Sequence, residues 1–385
     1  MFFSSWLRKP NTKPRTSRRA NATFRPRLEV LEGRDVPSTL KVTTYFDGGP
    51  GSLRYEIAQA KSGDTITFDK NLGSPVVYVT NGELVINKNL TIKGPGAGAL
   101  TIEADAGGGR TSRIFEVDGA GTTVSLSGLT FDNGGGTFSI NSFYDQPYDG
   151  YGGAVLNFGT LTISNCTLGG PLSANFAKNG GGAIANFGTM AIAGCDVFDN
   201  RANDGGGIYN AGTMTVTGGH VSANSASEFG GGIDNLATLT VNSSTLAYNS
   251  ATDGGGIYNA GTATVSGGSV SYNSAVYDGG GIYNVGTLAV DGSGRHMTVS
   301  DCAITGNSAD DGGGIYNDAG GTATVSNCQL SSNICYAEGG GIYNSGAASA
   351  LTVSNSTFSG NKDALSGSPD NIFGPYADGG GNTFN

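Results

Sequence analysis

The chain has 385 residues, of which 67 are Gly and only 14% are charged, and it carries a formal net charge of −10. No apolar run approaches the roughly 18 residues of a membrane helix, and the glycines lack a collagen period, so both classes are excluded. Five Cys without a C-x-x-C pair do not make a disulfide framework. The charge is divided: residues 1–37 hold nine Lys/Arg and three Asp/Glu, and the remainder holds twelve and 28. A basic tail on an acidic body marks a segment boundary and argues against a nucleic-acid partner.

Taken in chain order, residues 1–37 come first. Met1-Phe2-Phe3 and Trp6-Leu7 are too short for the apolar core of a secretory signal. Arg18-Arg19 is followed by Ala-Asn-Ala-Thr-Phe, which is no twin-arginine signal. The stretch Arg25-Pro-Arg-Leu-Glu-Val-Leu-Glu-Gly-Arg-Asp-Val-Pro-Ser38 resembles a segment near the N-termini of many bacterial surface and secreted proteins. That resemblance implies export by a non-standard signal; a plain disordered basic tail is the alternative.

Residues 38–150 predict irregular first coils of a β-structure, with Leu84-Val-Ile86, Leu90-Thr-Ile92 and Leu100-Thr-Ile102 alternating apolar and polar or exposed positions. Leu53, Ile57 and Ala60 follow a Gly-Ser start at helical spacing and predict a short helix that covers the open end. From 151 to 361 one unit recurs. Asn closes the string Gly-Gly-Gly-Ile-Tyr-Asn and its variants at Asn157, Asn186, Asn210, Asn235, Asn259, Asn284, Asn317 and Asn344. A second Asn series runs through Asn175, Asn200, Asn224, Asn249, Asn273, Asn307, Asn333 and Asn361. The prevailing spacing in both is 24–25 residues. A propeller blade needs about 40–45 residues, whereas three short strands in 24–25 fit one coil of a parallel β-helix. The fold predicted is therefore all-β: a single-stranded parallel β-helix (solenoid) with a short N-terminal capping helix. About twelve coils at about 4.8 Å would make a rod about 55–60 Å long. Residues 362–385 lack the repeat and predict a cap or tail over the far end.

The unit also sets which side chains face inward. Ile208 and Asn210 fall on one face of a strand and Tyr209 on the other. Asn210, Asn235, Asn259, Asn284, Asn317 and Asn344 are predicted to stack as an internal amide ladder. At these residues a resemblance appears. Gly152-Gly-Ala-Val155, Gly181-Gly-Ala-Ile184 and Phe358-Ser-Gly-Asn361 resemble the paired motifs of polymorphic outer-membrane-protein repeats. More broadly, the chain is similar to right-handed parallel β-helix proteins of the pectin-lyase-like class. That similarity implies the fold and raises polysaccharide cleavage as an activity; the class's catalytic residues find no matching motif here.

Candidate chemistry is sparse. The acids near the triple glycines, Asp204, Glu228, Asp253, Asp278, Asp311 and Glu338, read as solvated turns, with Asp204, Asp253, Asp278 and Asp311 as weak calcium sites in the alternative. Asp196 and His220 should meet as neighbours on the outer face, as an exposed ion pair. Cys166 and Cys195, and likewise Cys302 and Cys328, occupy equivalent positions in adjacent coils and are expected as free buried thiols. Two insertions break the period, 132–151 and 291–297. Within the first, Tyr144, Asp145, Tyr148 and Asp149 combine flat rings with hydrogen-bonding acids and are the predicted ligand contacts, with polysaccharide or another surface protein as partner. Lys178, Arg201 and Arg295 are the only Lys/Arg between residues 120 and 361, too few to bind a polyuronate. The reading is thus an extracellular or cell-surface, adhesin-like binding rod. A polysaccharide lyase or glycosidase is the alternative.

Overall fold

The computed structural model describes residues 37–104, 112–136, 148–170, 174–285 and 296–385. Within them the chain winds as a parallel β-solenoid, and every ladder between named strands runs parallel. Three sheets run along the coil axis, of 23, 11 and seven strands; we call them the broad, triplet and doublet sheets. The triplet sheet is built from three-residue strands such as Ile208–Asn210, Ile233–Asn235 and Ile257–Asn259, paired residue for residue. The doublet sheet uses two-residue strands such as Ser250–Ala251 and Ser274–Ala275. The ten-residue strands Thr238–Ala247 and Thr262–Ser271 bend around a corner of the broad sheet, where Ser243, Gly267 and Gly268 take positive φ.

Strand alternation fills the core. Ile208, Ile233, Ile257, Ile282, Ile315 and Ile342 are 0% exposed, while the tyrosines that follow are only partly covered. Each such isoleucine contributes about 1.5–3 kcal/mol by burial. Two rows of asparagine run beside this apolar stack. Asn210 Nδ2 donates to Asn235 Oδ1 at 2.7 Å, Asn235 to Asn259 at 2.7 Å and Asn259 to Asn284 at 2.8 Å. The row extends from Asn157 to Asn344, and a second row links Asn175 through Asn361 at 2.9–3.0 Å. Amides suit this place because each is donor and acceptor at once, so a buried row satisfies itself at the coil spacing.

The triple glycines are required by geometry. Gly254 has φ +66°, a region closed to most L-residues, and a Cβ on Gly255 would lie 2.5 Å from the Gly280 carbonyl. The helix Leu53–Gln59 lies at the N-terminal end; Ser52 caps it by accepting from the Tyr55 N–H, and Leu53 and Ile57 are buried. Ile372–Phe373, Ala377–Asp378 and Thr383–Phe384 each pair in parallel with the preceding coil, so 362–385 covers that end as a further coil. Its strands are short and poor in Gly-Ile-Tyr-Asn, which is why the repeat is not visible there. Among the described residues no helix is long and apolar enough to cross a membrane.

Candidate functional site

The triplet sheet turns one side chain per strand outward. By register these are Val85, Glu116, Leu156, Ala185, Tyr209, Asp234, Tyr258, Tyr283, Tyr316, Tyr343 and Phe373. Coil spacing brings the rings into contact. Centroids lie 5.2 Å apart for Tyr258 and Tyr283, 4.9 Å for Tyr283 and Tyr316, 4.8 Å for Tyr316 and Tyr343, and 5.2 Å for Tyr343 and Phe373. A second group of rings lies toward the N-terminus: Tyr148, Tyr151, Phe158, Phe187 and Tyr209, joined at 4.6–5.9 Å. Asp234 separates the two groups, and Phe229 packs on Tyr258 at 4.6 Å beside the gap.

A column of acids edges this aromatic face. The residues before the first glycine of successive coils are Gly180, Asp204, Phe229, Asp253, Asp278, Asp311 and Glu338, joined by main-chain bonds from the next glycine N–H. Phe229, not Glu228, therefore occupies the column, and Glu228 stands exposed beside it. The four aspartates are half-buried, between solvent and the tyrosine rings. Burial pushes the Asp204 carboxyl up to about 6, with the Glu228 charge adding to it, while the Phe229 N–H acts in the other direction. Asp278 is pushed up to about 7, by burial first and then by Asp253, Asp311, Asp318 and Asp310. Asp253 and Asp311 are raised chiefly by burial. The reason is local: the column lies against the tyrosines, where rings exclude water and no cation is at hand. Each aspartate stands in its own coil. Among the described residues no three His, Cys, Asp or Glu converge on a point that would hold a metal ion.

Asp234 is the residue sequence reasoning missed. It replaces Tyr in Gly230-Gly-Gly-Ile-Asp-Asn235 and is 2% exposed. Its Oδ1 and the Oδ1 of Asp204 are buried without a hydrogen-bond partner. Burial, and then the Asp204 charge, raise the Asp234 carboxyl well above the ordinary range. A break in an otherwise regular string was the signal available.

The predicted loop contacts divide. Phe138, Phe143, Tyr144 and Asp145 lie outside the described residues. The Tyr148 ring packs on Phe158 at 4.6 Å and Phe187 at 4.9 Å, so it extends the aromatic face instead of forming a separate platform. The Asp149 carbonyl accepts from Asn179 Nδ2 at 2.8 Å. Arg113 ties this end down: its Nη1 meets Glu116 at 2.7 Å and Glu83 at 3.0 Å, and its Nη2 donates to the Tyr148 carbonyl at 3.0 Å. On the broad sheet, Asp196 Oδ1 and His220 Nδ1 lie 2.8 Å apart, with both side chains more than half exposed. Cys166, Cys195, Cys302, Cys328 and Cys335 are free and buried. Residues 1–36 and Arg295 lie outside the described residues.

No family model matches the chain, and no curated protein sequence matches it. The likeness to polymorphic outer-membrane-protein repeats thus rests on the motifs alone. Solved structures similar to the chain include the A-module of the mannuronan C-5 epimerase AlgE6 from Azotobacter vinelandii, at 14% identity and a TM-score of 0.45. That match covers 89% of this chain and 97% of the module. A PL6 alginate lyase in complex with a trisaccharide matches at 12% identity and a TM-score of 0.34, over 90% of this chain and 84% of the lyase.

Proposed function

We propose that this is an extracellular or cell-surface solenoid that binds polysaccharide along the outer face of its triplet sheet. The carrying observation is the row of rings from Tyr258 to Phe373, spaced 4.8–5.2 Å and edged by Asp253, Asp278 and Asp311. Sugar rings present apolar faces that stack on aromatics and hydroxyls that hydrogen-bond carboxyls. One exposed ring holds a sugar weakly, so a row that engages a polymer at many points is the arrangement that yields useful affinity. The resemblance of residues 25–38 to export segments supports the location, and the repeat motifs support the adhesin-like role. Calcium at the acid column remains part of this proposal, as a weak ligand shared between a carboxyl and the bound sugar.

The test is binding of a panel of soluble polysaccharides to the wild type and to a Tyr283→Ala, Tyr316→Ala double variant, with and without calcium. Affinity should fall at least tenfold in the variant. Unchanged binding would remove this face from the proposal. A second reading, cleavage by a lyase or glycosidase, is favoured by one observation: Asp234 lies close enough to feel the Asp204 charge, and a pair of neighbouring carboxyls is what acid–base cleavage of a glycosidic bond uses. Release of reducing ends from any member of the panel, abolished by Asp234→Asn, would establish it in place of the scaffold reading.

A further inference from the structure

The aromatic row is broken once, and what fills the break is a pair of carboxyls. Asp234 is flanked in register by Tyr209 and Tyr258, with Phe229 on the Tyr258 ring. Asp204 stands beside it, and each carries a buried oxygen with no hydrogen-bond partner. Tyr151 and Tyr209 lie close enough to feel both charges. No Lys, Arg or His contributes to the surroundings of either carboxyl. The ion pairs formed by Lys41, Arg54, Arg113 and His220 lie elsewhere on the molecule. Among the described residues, the acids of this face, through Asp253, Asp278 and Asp311, have no basic partner. A buried carboxyl left unpartnered is costly, and a cation that meets it recovers that cost. Tyrosine faces attract cations as well.

We infer that the Asp204–Asp234 break is a binding site for a protonated amine, and that the polysaccharide held on this face is an amino-sugar polymer. The inference rests on the polysaccharide reading and names its substrate class. The rings alone would accept any sugar; the unpaired acids select one bearing ammonium groups. Their recurrence argues for a polymer with many amines over a single amine, because Asp253, Asp278 and Asp311 repeat the acid once per coil along the same face. A lysine-rich peptide fits less well, because its side chains offer no flat apolar faces to the row of rings from Tyr258 to Phe373. Asp234 supplies the deepest contact, Asp204 the partly open one beside it, and the acid column continues the match along the rod.

The experiment is calorimetric titration of the full chain at low salt with two oligosaccharides of equal length, one fully deacetylated glucosamine oligomer and one N-acetylated. The amine form should bind at least tenfold more tightly, and the difference should shrink with added salt. Asp234→Asn should reduce that preference severalfold, the loss falling mainly on the amine form. Should Asp234→Asn fail to fold, Asp204→Asn serves in its place, and Asp196→Asn, on the broad sheet, should keep the full preference. Equal binding of the two oligomers by the wild type would overturn the inference. It would leave the polysaccharide reading standing if the Tyr283→Ala, Tyr316→Ala variant still loses both ligands. A full amine preference in a folded Asp234→Asn, Asp204→Asn double variant would place the amine elsewhere and overturn the site. Tighter binding of an oligolysine of equal charge would assign the face to a peptide and overturn the sugar assignment.

Discussion

At the scale of single residues, the internal asparagines and the outward aspartates show opposite solutions to a polar group near an apolar stack. Asn259 donates to Asn284 Oδ1 at 2.8 Å and accepts from Asn235 Nδ2 at 2.7 Å, so its neighbours depend on it from both sides. Asn259→Leu should destabilise the fold by about 1–3 kcal/mol, since two buried amide groups lose their partners. Denaturant unfolding reads this directly, and an unshifted midpoint would contradict it. The aspartates have fewer partners, a main-chain N–H for Asp253 and for Asp311, and burial raises their carboxyls. Asp204 and Asp278 titrate at about 6 and about 7 in the folded chain, against about 4 when unfolded. Between about pH 4 and pH 7 the folded state thus binds more protons than the unfolded one, and stability falls as pH rises. Asp47, Asp64 and Asp363 are shifted the other way, so their contribution is lost only as pH falls below the ordinary carboxylate range. The thermal midpoint should accordingly be higher near pH 4.5 than at pH 8. Asp278→Asn should raise the midpoint at pH 8 while leaving it nearly unchanged at pH 4.5. A midpoint that climbs steadily from pH 4.5 to 8 would refute the assignment.

At the scale of the element, the three-residue strand works because three constraints coincide in six residues. In Gly254-Gly-Gly-Ile257-Tyr258-Asn259 the first Gly turns the chain at φ +66°, and the second passes within contact of the next coil. Ile257 and Asn259 are 0% exposed, and Tyr258 joins the outer row. A methyl at Gly255 would sit 2.5 Å from the Gly280 carbonyl, and it can be relieved only by separating two coils. Gly255→Ala should therefore destabilise by about 2–4 kcal/mol, more than a surface substitution does. Chemical denaturation measures it, and a loss under about 0.5 kcal/mol would show that coils slide apart more easily than their packing implies. The same close stacking makes the outer face dense in rings. Tyr258, Tyr283, Tyr316 and Tyr343 sit one per coil, and the neighbouring acids lose water to them.

At the scale of the whole molecule, each coil touches chiefly the coil before and after it, so stability approximates a sum over coils and interfaces. The ends are then the exposed surfaces that must be managed. Residues 362–385 perform this at the C-terminal end: Phe384 stacks on Phe358 at 5.0 Å, and the last strands pair with all three sheets. Removing 362–385 would bare Leu351, Val353 and Phe358, all 0% exposed in the full chain, together with three strand edges. Unpaired edges recruit other strands. Size-exclusion chromatography of the truncated chain should show dimers or larger species where the full chain does not, and a truncated chain that stays monomeric would contradict this.

The sequence by itself determined the period, the parallel β-solenoid, the inward Ile and Asn, the outward Tyr and the short capping helix. These follow from local rules: side chains alternate along a strand, Gly permits positive φ, and a repeat of 24–25 residues admits only one coil. Only the tertiary structure decided which outward residues become a site. That Glu228 stands one residue before the other acids is visible in the sequence; that the offset leaves it in solvent while Phe229 packs on Tyr258 is decided by the coils. Tyr148 reads as a loop residue until its ring is seen on Phe158 and Phe187, from other coils. Asp234 reads as one substitution in a repeat; its meaning comes from Asp204, 30 residues earlier, whose charge it meets across the coils. The physical reason is that acidity and burial depend on neighbours one coil away, and the exact register across insertions and irregular coils is set by packing between coils.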